Sequence, residues 1–305
     1  MLTTLIHRLF RSFPPVVRET LKTALAATGH RKSVLDKLRA STHAAGKKRI
    51  DKVALRVLSE LTQAGIPSLM KQRCMEFGAG YVPTELLVYL ALGAADVVAV
   101  DYNRIAKLEY LAKALDSAPS GWERNLEELT GCSDFNILRI TRRLTTIDDS
   151  PYDGLRYVAP FDMSKDYFSE EPFDFIHSVS VLEHLPFDCV QVIVYNLCRS
   201  LGPGGRMVHT IDLTDHWDAD ANPFGFLRSD TDYIPKRDSD TRGNRLRLSD
   251  WLAVFSRMPG YSTVCVASHS RPLGFPVDDL QEGFRSLSVE DLCMSEITLL
   301  TTQTE

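Results

Sequence analysis

Six residues that can move protons or hold a metal fall close together in the second half of the chain: Glu183, His184, His209, Asp212, Asp215 and His216. A histidine titrating near neutrality is well suited to removing a proton from a hydroxyl, and a carboxylate beside it can orient the ring. Mixed imidazole and carboxylate sets also bind divalent ions. The spacing here matches no closed zinc pattern, so no metal site is assigned. A second group lies well upstream, Glu76-Phe77-Gly78-Ala79-Gly80, followed by Asp101. Glycines at 78 and 80 let the backbone turn sharply and approach a ligand. An acid in the position of Asp101 can hydrogen-bond the two hydroxyls of a ribose.

The elements that must position these residues are legible in the apolar pattern. Residues 73–101 read as strand, loop, helix and strand. Pro83 suits a first helical turn, and Leu86, Leu87, Leu90 and Leu92 give the helix an apolar face. Asp96-Val97-Val98-Ala99-Val100 has the continuous apolar character of a buried parallel strand, with Asp101 at its carboxyl end. The nicotinamide fingerprint needs a third glycine where this chain has Pro83, which argues against a dinucleotide, and no Gly-Lys-Ser/Thr follows to make a phosphate loop.

Further along, Leu155–Pro160 reads as a third strand and residues 173–180 as a fourth. Val190 to Leu201 reads as a helix closed by a Gly202-Pro203-Gly204-Gly205 turn, and Met207–Ile211 as a fifth strand. Ser249-Asp250 is expected to cap a helix running through Met258. Ser262–Ala267 and Glu296–Thr302 complete a strand pair. The alternation predicts an α/β fold with a doubly wound, mostly parallel Rossmann-like sheet. The expected division is a helical N-terminal extension over 1–72 and a catalytic domain over 73–305, with insertions at about 103–150 and 213–247. The first insertion reads helical and is expected to form a cap or substrate wall.

Glu76-Phe77-Gly78-Ala79-Gly80 resembles motif I of the class I S-adenosylmethionine-dependent methyltransferases, whose pattern is acid-x-Gly-x-Gly. Asp162-Met163, the stretch Phe173–Ser178 with Val181-Leu182-Glu183-His184-Leu185-Pro186, and Leu201–Gly205 follow in that family's order. The resemblance covers about residues 74–212 and the final strand pair. It implies S-adenosyl-L-methionine as cofactor, held by Glu76, Gly78, Ala79, Gly80, Asp101 and the adjacent Tyr102. It further implies Asp162 at the adenine amino group, Met163 on the ring, and Ser178 and His184 beside the methionine part.

The segment His209–His216, with Phe224–Leu227 and Asn244–Arg247, is similar to a bacterial subgroup found alongside glycan and small-molecule biosynthesis proteins. This implies a small-molecule or glycan-precursor acceptor, methylated at oxygen. Methyl transfer is an in-line displacement in which the protein mainly positions the acceptor, and a hydroxyl acceptor also needs a base. His216 is the first candidate, oriented by Asp212 or Asp215; the alternative is that it only caps a turn. His209 is a second candidate, set against the reading of a satisfied core histidine. Arg228, Arg242, Arg245 and Arg247 either clamp an anionic group of the substrate or pair with neighbouring acids. Trp217, Phe224, Phe226 and Tyr233 either line an acceptor pocket or pack the insertion.

Composition bounds the alternatives. A hydrophobic fraction of 44% and a charged fraction of 25% fit an ordinary globular protein of 305 residues. No apolar run is long enough for a transmembrane helix, and no signal-peptide core opens the chain. Six scattered cysteines without a C-x-x-C pair point to a reduced, cytoplasmic protein. The net charge of −5 is uneven: residues 1–73 carry 15 Lys/Arg against 4 Asp/Glu, a net of +11 that leaves −16 on the rest. That basic region either docks on the acidic body or meets an anionic partner. Residues 2–13 form an amphipathic pattern that suits packing on the domain or a dimer mate, or peripheral contact with a membrane. A nucleic-acid methyltransferase is the alternative that uses the basic region, but no RNA-binding motif supports it. A non-catalytic, methyltransferase-like binding protein is a third reading, against which the intact glycine loop and Asp101 argue.

Overall fold

The computed structural model describes residues 40–304 apart from 42, 131, 134, 145–154, 170, 217–218 and 229–242, together with the backbone alone of 141–144. The amphipathic segment 2–13 lies outside the described residues, as do Trp217, Tyr233 and Arg242.

The chain enters through helix α1, Ile50–Gln63, which buries Ile50, Val53, Ala54, Val57, Leu58 and Leu61 at the spacing of one helical face. Strand β1, Arg73–Phe77, leads through the glycine loop into α2, Thr84–Ala91, and back into β2, Asp96–Val100. All eight residues of α2 are buried, because it lies beneath both α1 and the first insertion. That insertion is helical, as its periodicity predicts, with α3 at Leu111–Asp116, α4 at Trp122–Thr130 and α5 at Ile137–Leu144. It was expected as a cap or substrate wall. Its described helices instead bury Leu111, Ala114, Trp122, Leu126 and Ile140 in the cluster that α1 and α2 form over one face of the sheet. The apolar residues decide this: they have more surface to cover on the helices than at the rim.

Strand β3 spans Leu155–Val158 and β4 Phe173–Val179. Helix α6, Phe187–Arg199, precedes β5, Leu201–Asp212. The Gly202-Pro203-Gly204-Gly205 stretch, expected as a turn outside the strand, is the irregular start of β5: Phe173 pairs with Leu201 but Phe175 with Arg206, and Gly204 takes φ +71. Helix α7, Leu248–Ser256, carries Asp250 in its first turn, whose Oδ2 accepts from Arg247 N at 2.9 Å. Strand β6, Tyr261–Ser270, helix α8, Val289–Cys293, and β7, Met294–Gln303, close the chain.

The seven strands lie in the order β3-β2-β1-β4-β5-β7-β6. The first five run parallel and β7 runs antiparallel between β5 and β6. Helices α6 and α7 cover the second face through Val190, Ile193, Val194, Leu197, Trp251 and Phe255. The order reverses between β1 and β4, so the ligand crevice of a doubly wound sheet falls outside the carboxyl ends of those two strands. No helix among the described residues is long and apolar enough to cross a membrane.

Candidate active site

Three backbone amides of the glycine loop point at the tip of β2. Gly78 N and Ala79 N donate to Val100 O at 2.8 and 3.4 Å, and Gly80 N donates to Asp101 Oδ2 at 3.0 Å. A phosphate-binding loop leaves such amides free for its ligand; here they hold the loop against β2. The arrangement therefore suits a nucleoside without phosphates. Gly78 has φ +82 and Gly80 φ +63, a region where a side chain is strained. Nothing lies within 4 Å of a Cβ built on Gly80, so the loop presents bare backbone there.

Asp101 is braced from several sides. Its Oδ1 accepts from Asn103 N at 3.1 Å, and its backbone bonds to Val158 and Phe161. Burial raises its carboxyl above the usual range, offset in part by the amides of Asn103, Gly80 and Tyr102. Each carboxylate oxygen keeps a second lone pair for a ligand hydroxyl. Tyr102 beside it is exposed.

Glu76 lies under the loop on the α1 side of the sheet. It is buried, and Lys48 Nζ approaches to 3.6 Å. Lys48 also donates to both oxygens of Glu85 at 2.6 Å, and Arg56 joins them. Burial pushes the Glu76 carboxyl well up, and the Glu85 charge adds to this. Burial opposes ionisation of Glu85 as well, but Lys48 and then Arg56 override it and hold that carboxyl low. Lys48 was not singled out in the sequence: its partners are far away along the chain, and only a Lys-Lys-Arg run marks it.

Asp162 turns on itself, with Oδ1 accepting from Ser164 N and Oγ at 3.1 and 2.6 Å and Oδ2 3.2 Å from Lys165. Met163 is buried in the α6 face, and its carbonyl accepts from Asn196 Nδ2 at 2.8 Å.

For Ser178 only the backbone is left to meet the cofactor, and the expectation for His209 is corrected. Ser178 lies within β4 with its side chain buried, its Oγ 2.7 Å from His209 Nδ1, so that side chain is below the crevice and engaged in the core. His209 is also fully buried, packs against the Phe255 ring, and is pushed down to about 3 by burial and then by His177. It is a neutral core imidazole that does not join His216. Strand alternation is the reason: His209 and Ile211 face α6 and α7, whereas Thr210 and Asp212 face the other side.

The remaining chemistry gathers at the carboxyl ends of β4 and β5. Ser180, at φ +53, turns the chain out of β4 into a short 3-10 turn, Leu182–His184. Asn244 pins that turn by donating to Glu183 O at 2.6 Å and, through Nδ2, to Leu182 O and Leu185 O at 2.9 and 3.1 Å. Asp212 Oδ1 accepts from Thr214 N and Oγ1 at 2.9 and 2.6 Å, and its Oδ2 lies 3.4 Å from His216 Nε2. Burial opposes ionisation of Asp212, and His216 and Thr214 outweigh it. The His184 and His216 rings sit 4.8 Å apart. Glu183 is 3% exposed and burial pushes it up to about 8.

The described arginines, Arg228, Arg245 and Arg247, do not converge here. Arg247 is fully buried and donates to the carbonyls of Leu213, Asp291, Leu292 and Met294. Arg245 donates to Phe226 O at 3.1 Å, and Arg228 stacks over Phe275. Phe224 and Phe226 are buried in a small cluster with Leu273, Leu280 and Leu292, packing the insertion. A cleft of about 700 Å³, lined in part by Gly65, Arg206 and Thr302, opens at the opposite end of the strands, and none of the expected site residues lines it.

Among solved structures, the chain is similar to the YcgJ protein of Bacillus subtilis, at 15% identity and TM-score 0.44 over 82% of this chain and 99% of that one. It is similar to an S-adenosylmethionine-dependent methyltransferase of Mesorhizobium loti, at 13% identity and TM-score 0.43 over 83% and 98%. It is also similar to magnesium protoporphyrin IX methyltransferase of Synechocystis, at 12% identity and TM-score 0.43 over 83% of each chain. No curated protein matches it in sequence. A family model described as a methyltransferase domain matches residues 18–251, most of the chain. With that match, and a doubly wound sheet whose loops suit a phosphate-free nucleoside, the chain belongs to the class I S-adenosylmethionine-dependent methyltransferases.

Proposed function

We propose that this methyltransferase acts on an oxygen of a small-molecule or glycan-precursor acceptor. The observation that carries the reading is the Asp212–His216 contact at the carboxyl end of β5. An imidazole beside a carboxylate is what a hydroxyl acceptor needs and a thioether acceptor does not.

S-adenosylmethionine, when bound, supplies an electrophilic sulfonium methyl group. Gly78, Ala79 and Gly80 let the backbone approach it, and Asp101, with Tyr102 beside it, accepts hydrogen bonds from ribose hydroxyls. Asp162 receives the adenine amino group and Met163 backs the ring. Glu76 supports the loop from beneath. Asp212 Oδ2 holds the Nε2–H of His216, which leaves Nδ1 to take the acceptor's proton. The 3.4 Å separation is long for a formed hydrogen bond, as pairs of this kind often are before substrate binds.

Incubation with methyl-labelled cofactor and a bacterial metabolite extract, followed by mass spectrometry, tests this. A labelled methyl ether or ester is expected. A product methylated only at nitrogen, carbon or sulfur would overturn the oxygen reading.

A further inference from the structure

Glu183 presents an electrostatic problem that the base reading does not solve. Its carboxyl is buried, and among the described residues neither oxygen has a hydrogen-bond partner. A buried carboxyl whose oxygens lack hydrogen-bond partners is costly even when neutral, and such groups are normally hydrogen-bonded or bound to a metal. Its nearest chemical neighbours are two imidazoles. One ligand atom each from Glu183, His184 and His216 lies within 4.8 Å of the others.

We propose that Glu183, His184 and His216 bind one divalent transition-metal cation. The residue types fit: one carboxylate with two imidazoles suits manganese, iron, cobalt or zinc better than calcium or magnesium. The spacing fits as well, because bonds of roughly 2.0–2.2 Å place the ligands of one ion roughly 3–4 Å apart, and small side-chain shifts close the set. The second layer is already built. Asp212 faces His216 Nε2, the arrangement by which a carboxylate fixes the tautomer of a ligating histidine. Asn244 holds the turn that carries two of the three ligands, through three hydrogen bonds.

Three ligands leave coordination positions open. The turn that carries Glu183 and His184 follows Val181, which packs on the glycine loop at Gly78 and so ties the site to the cofactor side of the sheet. An acceptor with two adjacent oxygens, such as a vicinal diol or a hydroxy acid, is the class such a site would orient. That use rests on the oxygen reading above; cation binding itself does not. With a cation in place, His216 would hold it instead of acting as the base, the cation would lower the pKa of the acceptor hydroxyl, and Asp212 is a positioning residue acting through His216.

The test is titration of EDTA-treated full-length protein with Co²⁺, followed by visible absorption, with no acceptor present. Wild type is expected to take up one equivalent and to develop d–d bands that Zn²⁺ bleaches. Glu183→Gln, His184→Ala and His216→Ala are each expected to weaken uptake about 10-fold or more. His269→Ala, an exposed histidine elsewhere on the surface, is the control and should bind as wild type does. Far-ultraviolet circular dichroism and thermal unfolding of each variant show that it is folded. No Co²⁺ uptake by wild type, or equal affinity in wild type and all three variants, overturns the proposal. The methylated atom is read separately from the labelled product, so the two readings fail independently.

Discussion

Gly78 and Val181 belong to loops that leave different strands, β1 and β4, yet they are in direct contact. A Cβ placed on Gly78 would lie 2.3 Å from Val181 Cγ2. The cofactor loop and the turn carrying Glu183 and His184 are therefore one packed unit. Gly78→Ala is expected to push the two loops apart and to strain a residue at φ +82, costing about 1–3 kcal/mol. Cofactor affinity, measured by calorimetry with S-adenosylhomocysteine, should fall at least tenfold. Unchanged affinity would remove the loop from the cofactor site.

Asp101 serves the loop and the ligand together, since Gly80 N donates to it. Asp101→Ala should abolish measurable cofactor binding while the protein stays folded. Asp101→Asn, which keeps an acceptor oxygen, should retain part of the affinity. An alanine variant that binds as tightly as wild type would contradict the assignment.

His216→Ala is expected to leave cofactor affinity within about twofold and to slow turnover about 10²–10⁴-fold. Single-turnover rates with the identified acceptor provide the measurement. Equal rates in variant and wild type would exclude His216 from the reaction.

Glu60 of α1 carries a pH signature. Its Oε2 lies 2.9 Å from His177 Nε2, and its Oε1 accepts from Thr210 Oγ1 at 2.6 Å. Burial opposes its ionisation, but His177 and Arg56 outweigh burial and lower its pKa. A carboxyl with a lowered folded-state pKa contributes stability that is fully present above its unfolded pKa and is lost as pH falls through the folded one. Glu60→Gln should therefore destabilise the protein by about 1–3 kcal/mol at pH 7. The gap from wild type should narrow in acid. Urea unfolding at both pH values checks this, and a gap independent of pH would refute it.

Arg247 is a structural clamp for the sheet's far side. Arg247→Met should leave the carbonyls of Leu213, Asp291, Leu292 and Met294 without their donor and cost at least about 1–3 kcal/mol. Arg247→Lys should rescue little, because an ammonium cannot reach several carbonyls as a planar fork does. Thermal unfolding gives the comparison. A variant as stable as wild type would reopen a substrate role for the side chain.

Much of the fold was legible in the chain because it is written in local chemistry. Leu86, Leu87 and Leu90 mark α2, the run from Asp96 to Val100 marks β2, and two glycines mark the turn between them. These signals depend on periodicity and backbone freedom within a few residues, so the sequence alone places Asp101 at a strand tip. Pro83 likewise argued against a dinucleotide by its position alone. The limits appeared where partners are distant. Nothing local to Lys48 announces Glu76 and Glu85, and nothing local to Arg247 distinguishes a buried clamp of carbonyls from a substrate anchor. The sequence ranks His216 ahead of His209 as a base but leaves both as candidates. Only the tertiary structure separated them, since the pleat of β5 turns His209 into the α6 and α7 face, while the chain beyond Asp212 brings His216 against His184 and the unpartnered carboxyl of Glu183.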